Sequence, residues 1–232
     1  MLRTLDNLLG YRLAASDGEI GRIRDFFFED MTWKLRYLIA ETGHWLKSRR
    51  VLVSPSALGA INSGKREFQV GLTREQVRNS PDIDTDKPVS RQQERAVVAH
   101  YGWPIPDGIL ATDLKEGTPG NGDPHLRSFL EISTYRLEHA GAKLGTAEDF
   151  VLDDENWILR SLIVGFGGWT GSVQAAIPVA QVHSISWADR IISTSMTKED
   201  LDKLSLFDSS APVNRVEKLI YFDYCGRPAA GQ

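Results

Sequence analysis

The 232 residues are 41% hydrophobic and 25% charged, with a net charge of −4 at neutral pH. That is the balance of an ordinary globular chain, and it gives no electrostatic reason to bind nucleic acid or anionic lipid. Cys225 is the one cysteine, so no intrachain disulfide can form, and no stretch approaches the roughly 18 apolar residues of a membrane span. Asp6 and Asn7 fall where a signal peptide needs an unbroken apolar run, so a cytoplasmic protein is expected.

In chain order, a short apolar pattern (Leu2, Leu5, Leu8, Leu9) leads to the turn pair Asp17-Gly18. Ile20 to Glu29 is rich in β-formers, Asp30-Met31-Thr32 interrupts it, and residues 33–41 alternate as a half-buried strand does, which predicts a hairpin. A further strand is expected at Arg50 to Val53, ended by Pro55, with weaker strand signals at 57–61 and 67–70. Thr73 to Arg78 reads as a short N-capped helix. Ser80 to Val89, rich in Pro and Asp, is expected to be extended. Ser90 and Gln93 then have the spacing of a capping box opening a helix, which Gly102 and Pro104 stop. Ala111 to Leu126, with three Gly and two Pro, reads as a mobile linker. Strands are expected again at 143–152 and 157–165, then at Ala175 to Ile177, matched to Val51 to Pro55 with a one-residue slip. Residues 182–187 and 190–195 follow, then a second short helix from Thr197 and a tail whose Leu219-Ile220-Tyr221-Phe222 reads as an added strand.

The plan is used twice. Tyr11, Arg12, Leu13, Gly21, Asp25, Phe26, Asp30, Trp33, Leu35, Arg36, Leu38, Ile39, Gly43 and Trp45 each recur at an offset of 124, from Tyr135 to Trp169. These 14 identities fall within 35 positions without a gap, the mark of a duplicated unit. Many short strands spaced by turns favour small barrels over a sandwich of long strands.

The repeated residues resemble the PRC-barrel family. The features are Gly21 opening a strand, Asp25 soon after, the acidic turn at Asp30, the Leu35 to Ile39 strand and the Val51 to Pro55 run. In the second copy they are Gly145, Asp149, Asp154, Leu159 to Ile163 and Ile177-Pro178. Ser80-Pro81, Pro88 to Arg91, Glu94 and Tyr101 to Pro104 resemble the extension that follows the barrel in many bacterial members. The resemblance implies a mainly β, all-β fold with a minor helical part: two small PRC-type β-barrels in tandem joined by a helix-containing linker. The expected divisions are a first barrel at 1–80, a connector at 81–130, a second barrel at 131–208 and a tail at 209–232. In the family's photosynthetic reaction-centre H subunit and ribosome-maturation factor the barrel serves protein interaction. Neither specific role is expected to carry over, since the sequence shows no recognisable counterpart of the former's membrane helix or the latter's partner domain.

Four patterns in the sequence bear on chemistry. Asp82, Asp84 and Asp86 resemble a calcium loop, but Lys87 and Gln93 occupy the positions that need Gly and a bidentate Glu. The glycine-rich run 165–171 leads into a strand rather than the helix a phosphate loop needs. The five His are scattered, with no zinc-helix pair, and no nucleophile motif surrounds Ser54, Ser56 or Cys225. Asp25/Asp149 and Arg36/Arg160 recur, as a duplicated site would, but as a duplicated structural bond would equally.

The expectation is a non-catalytic protein-interaction or assembly module with no metal or cofactor. Its partner is an unidentified protein, with homo-oligomerisation open and no nucleic acid expected. Trp103, Pro104, Trp45 and Trp169 are the candidate interaction or packing residues. The competing readings are a small-molecule-binding protein or enzyme with a site between the barrels, and an RNA-associated factor, which the acidic charge disfavours.

Overall fold

Gly21 has no room for a side chain. A Cβ there would lie 2.7 Å from the carbonyl carbon of Glu41 on the neighbouring strand, closer than real Cβ contacts fall. Gly145, at the repeat offset, would meet the Gly165 carbonyl oxygen at 2.6 Å. These close approaches open the longest strand of each half in the computed structural model, which describes residues 1–47, 49–81, 91–104, 126–167, 173–204 and 207.

The first sheet has seven strands: β2 (Arg12–Ala15), β3 (Gly18–Glu29), β4 (Leu35–Thr42), β5 (Arg50–Val53), β6 (Leu58–Asn62), β7 (Glu67–Val70) and β8 (Leu126–Ser128). Six follow the order β5-β4-β3-β2-β7-β6, and β8 joins β3. The second sheet has β1 (Leu2–Thr4), β9 (Arg136–His139), β10 (Ala142–Asp153), β11 (Ile158–Phe166), β12 (Val173–Pro178), β13 (Val182–Ser186) and β14 (Ile191–Thr194). Its order, β12-β11-β10-β9-β14-β13 with β1 on β10, repeats the first. The mainly β expectation therefore holds. The short helices α2 (Arg74–Arg78) and α5 (Lys198–Lys203) both begin with a complete capping box, Thr73 with Gln76 and Thr197 with Asp200.

Register carries the equivalence to single residues. Leu38 pairs with Val53 and Leu162 with Ile177, each at the 124 offset. The one-residue slip expected at Pro178 is therefore absent: Pro178 corresponds to Ser54, and the two prolines end their strands one position apart. Both halves also carry the same bulges. Arg24 and Glu148 are the extra residues on β3 and β10, and Arg36 and Arg160 those on β4 and β11.

The leading strands change sides. β1 precedes the first sheet in sequence but pairs with β10 of the second, and β8 precedes the second but pairs with β3 of the first. The short helix after each, α1 (Leu5–Leu8) and α4 (Phe129–Ile132), follows its strand across. The Leu126 end of the expected linker is thus a buried strand residue, 5% exposed. Leu126 to Phe129 belongs to the packed structure, although it lay within the range 81–130 read as a connector. The rest of that linker, the capping residue Ser90 and the tail strand at 219–222 lie outside the described residues.

The exchange gives the halves one continuous core. Phe28 meets Phe150 at 5.2 Å between ring centres, Phe129 meets both Phe26 (6.2 Å) and Phe150 (6.4 Å), and Trp157 meets Phe68 at 6.3 Å. Trp33 stacks on Phe28 at 5.8 Å and also reaches Phe150. Between the two tryptophan turns the backbones bond reciprocally. The Leu35 amide donates to the Trp157 carbonyl, and the Leu159 amide donates to the Trp33 carbonyl, both at 2.8 Å. Trp33 and Trp157 sit at φ of 58° and 56°, a left-handed conformation costing a bulky residue about 1–2 kcal/mol. That cost is offset by the aromatic burial and the two backbone bonds across the joint.

α3 (Arg91–Tyr101) covers the outer face of the first sheet. Phe27, Tyr37, Ile39, Leu52 and Leu126 form the floor of that contact, Val97 lies on it, and Tyr101 and Trp103 pack against its edge. The Tyr37 hydroxyl donates to Glu94 at 2.9 Å, with both residues about 1% exposed. Gly102 then turns the chain at φ 66°, which an L-residue adopts rarely.

Candidate functional surface

The duplicated polar residues are the first places to look for a duplicated active site. Each is held within the fold. Asp25 sits beside the β3 bulge, where its carboxylate accepts from the Ser128 hydroxyl (2.6 Å) and the Leu130 amide (3.1 Å) of the crossed-over segment, and from its neighbour Phe26 (2.7 Å). Asp149 does the same in the other half, accepting from the Asp6 amide (3.1 Å), the Phe150 amide (2.7 Å) and the Thr4 hydroxyl. Thr4 and Ser128, and Asp6 and Leu130, are themselves 124 apart, so the two sites are one joint made twice. Burial raises both carboxyls above their ordinary value, and carries Asp149 up to about 6, with Asp6 adding to the rise.

A second joint lies at the far end of the same strands. Arg127 donates to Asp30 at 2.6 Å, and Arg3 to Asp154 at 2.6 Å, again exchanged between halves. The Arg127 side chain is 4% exposed, and it also reaches the Ile185 carbonyl at 3.3 Å. The bulge residues Arg36 and Arg160 pair within their own halves, with Glu29 at 2.9 Å and Asp153 at 2.6 Å. Burial pushes Asp153 up, but Asn156, Arg160 and the Glu155 amide outweigh it and hold the carboxyl down at about 2. Among the described residues no group of three or more His, Cys, Asp or Glu is placed to hold a metal ion, and no helix is long and apolar enough to cross a membrane.

Of the aromatic candidates from sequence, Trp45 is tied down. Its indole donates to the Ile20 carbonyl at 2.9 Å, and the Arg74 guanidinium lies over its ring at 4.3 Å. Trp103 is half-buried and stacked on Tyr101 at 4.3 Å, with Pro104 exposed beside it. Trp169 lies outside the described residues.

Sequence reasoning missed a different set. Besides Met1 (54%) beside Asp154 and Val173 (36%) on β12, three large apolar residues are left exposed: Met31 (86%), Leu130 (46%) and Trp187 (40%). All three lie close in sequence to the groups that Arg127 and Asp25 bring together: Met31 follows Asp30, Trp187 lies two residues past Ile185, and the Leu130 amide is bonded to Asp25. At the repeat offset their counterparts are Glu155, Asp6 and Ser63, all polar and exposed. The signal was available in the aligned repeat, as the positions where an apolar residue in one copy faces a polar one in the other. Only the strand exchange relates residues 31, 130 and 187 in space.

The comparisons with known proteins agree with the first half of this architecture. Residues 3–77 match the PRC-barrel domain. An uncharacterized protein of Deinococcus radiodurans is 31% identical over 74 residues, which are 32% of this chain and 26% of that protein. The similarity thus spans about a quarter of that relative's length. The matched range ends at α2, and β8, the seventh strand of the first sheet, is supplied from beyond it.

Proposed function

We propose that this chain is a tandem PRC-type protein-binding or assembly module, in which the second half is a diverged copy of the barrel domain at 3–77. The observation that carries the reading is the asymmetry of the exposed apolar residues. Two joints of the same construction differ in that Met31, Leu130 and Trp187 lie at positions around the Arg127–Asp30 joint where Glu155, Asp6 and Ser63 lie around the Arg3–Asp154 joint. Three exposed apolar side chains where the matching positions of the other joint are polar support contact with another protein. The two carboxyls that burial raises, Asp25 and Asp149, accept from amides and hydroxyls of their own chain, which supports a module over an enzyme.

The test exchanges the surface without touching the joints. Met31→Glu, Leu130→Asp and Trp187→Ser install the equivalent residues of the other joint together. Affinity purification from the source organism and sedimentation of the purified protein are then compared with wild type. The reading expects partner recovery or self-association to drop while the melting temperature holds. Unchanged association with unchanged melting would refute this surface, and turnover of a small molecule by the wild type would refute the module.

A further inference from the structure

The two copies of the buried-carboxylate joint have diverged in charge. Beside Asp25 stand Arg24 at the bulge, paired with Glu41 at 2.5 Å, and Arg50 on β5, whose charge favours the carboxylate. At the offset positions around Asp149 the residues are Glu148, Gly165 and Gln174, and Asp6 replaces Leu130. The fixed charges thus pass from +1 (Arg24, Arg50 and Glu41) to −2 (Glu148 and Asp6) around an otherwise conserved geometry.

We propose that Asp149 is a proton-operated latch, holding the N-terminal segment Met1–Leu8 on the second sheet more tightly when it carries a proton. The groups that face it are identified element by element. From α1 comes Asp6, whose amide it accepts and whose carboxyl opposes its charge. From β1 comes Thr4, while Arg3 is turned to Asp154. On β10 itself Glu148 is engaged by Gln174 of β12 at 2.6 Å. The residue paired with Asp149 on β11 is Ile163, 1% exposed. Among the described residues no cation favours the ionised form of Asp149 as Arg50 favours that of Asp25, which is the internal control.

The direction follows from linkage. The docked carboxyl titrates at about 6 and the free one near its ordinary 3.8, so docking takes up a proton between these values. The stabilisation is complete below the lower value and is lost as pH rises through the higher one. The opening equilibrium of the segment should rise about a hundredfold between pH 4 and 6, tenfold for each of roughly two units, and level off above.

Hydrogen exchange of the full-length protein, corrected for intrinsic rates, reads this at the Asp6 amide and the amides of β1 across pH 4 to 7. The expected result is protection that falls by about that factor and then plateaus in wild type, a flat profile in Asp149→Asn, and a smaller fall at the Leu130 amide. Asp6→Asn keeps the carboxyl intact, so it covers the case in which Asp149→Asn misfolds, and it should move the midpoint to lower pH. A flat wild-type profile, the same fall persisting in Asp149→Asn, or an unmoved midpoint in Asp6→Asn would overturn the proposal.

Discussion

At the scale of the residue, space and desolvation decide which positions are replaceable. Gly21 is fixed by the Glu41 backbone, whereas a Cβ at Gly43 would meet only the Trp45 ring at 3.8 Å, an ordinary contact. Gly21→Ala should therefore cost about 2–3 kcal/mol, and Gly43→Ala less than about 1 kcal/mol, in urea unfolding. Equal losses would show that the approach of β3 to β4 is not what selects glycine. The two arginines in cross-sheet and bulge pairs should separate in the same way. Arg127 is buried, so Arg127→Ala leaves Asp30 and the Ile185 carbonyl short of a donor and should cost about 3–5 kcal/mol. Arg160 is 45% exposed, where water screens the pair, and its loss should cost no more than about 1 kcal/mol.

At the scale of the element, the covering helix depends on one polar contact in an apolar interface. Tyr37→Phe keeps the ring packing but removes the donor to Glu94. It should cost about 1–3 kcal/mol and speed amide exchange in α3 more than in the sheet beneath. Uniform acceleration across the protein would mean that the helix does not open on its own. Elements are also where legibility in the sequence divides. The long strands β3, β4, β10 and β11 and the capped helices α2 and α5 were readable, because alternation and capping are local. β1, β2, β8 and β9 were not: each has three or four residues and, unlike β5, β7 and β14, no more than one β-branched or aromatic residue to mark a strand. Leu126 was read as linker because the glycines and prolines before it end only two residues away. Asp25 and Asp149 were visible as a repeated pair, in keeping with a duplicated structural bond as much as with a duplicated site. That the supported backbone belongs to the other half could not be seen, since the exchange depends on distant pairing rather than on local pattern.

At the scale of the whole molecule, the halves are interlocked rather than strung together. Each contributes a strand, a short helix, a carboxylate joint and an arginine joint to the other, and the aromatic core runs through both. Phe129 shows what this implies for stability. It follows β8 in sequence and packs on Phe26 and Phe150, so Phe129→Ala should cost about 3–5 kcal/mol and weaken both sheets. The most direct test is native-state hydrogen exchange in increasing denaturant on wild type and Arg127→Gln. If the halves form one cooperative body, the most protected amides of β2 and β7 and those of β9 and β14 will share one global opening energy, and the substitution will lower both by the same amount. Separate opening energies, with β9 and β14 keeping full protection when the Asp30 joint is broken, would contradict the interlocked architecture.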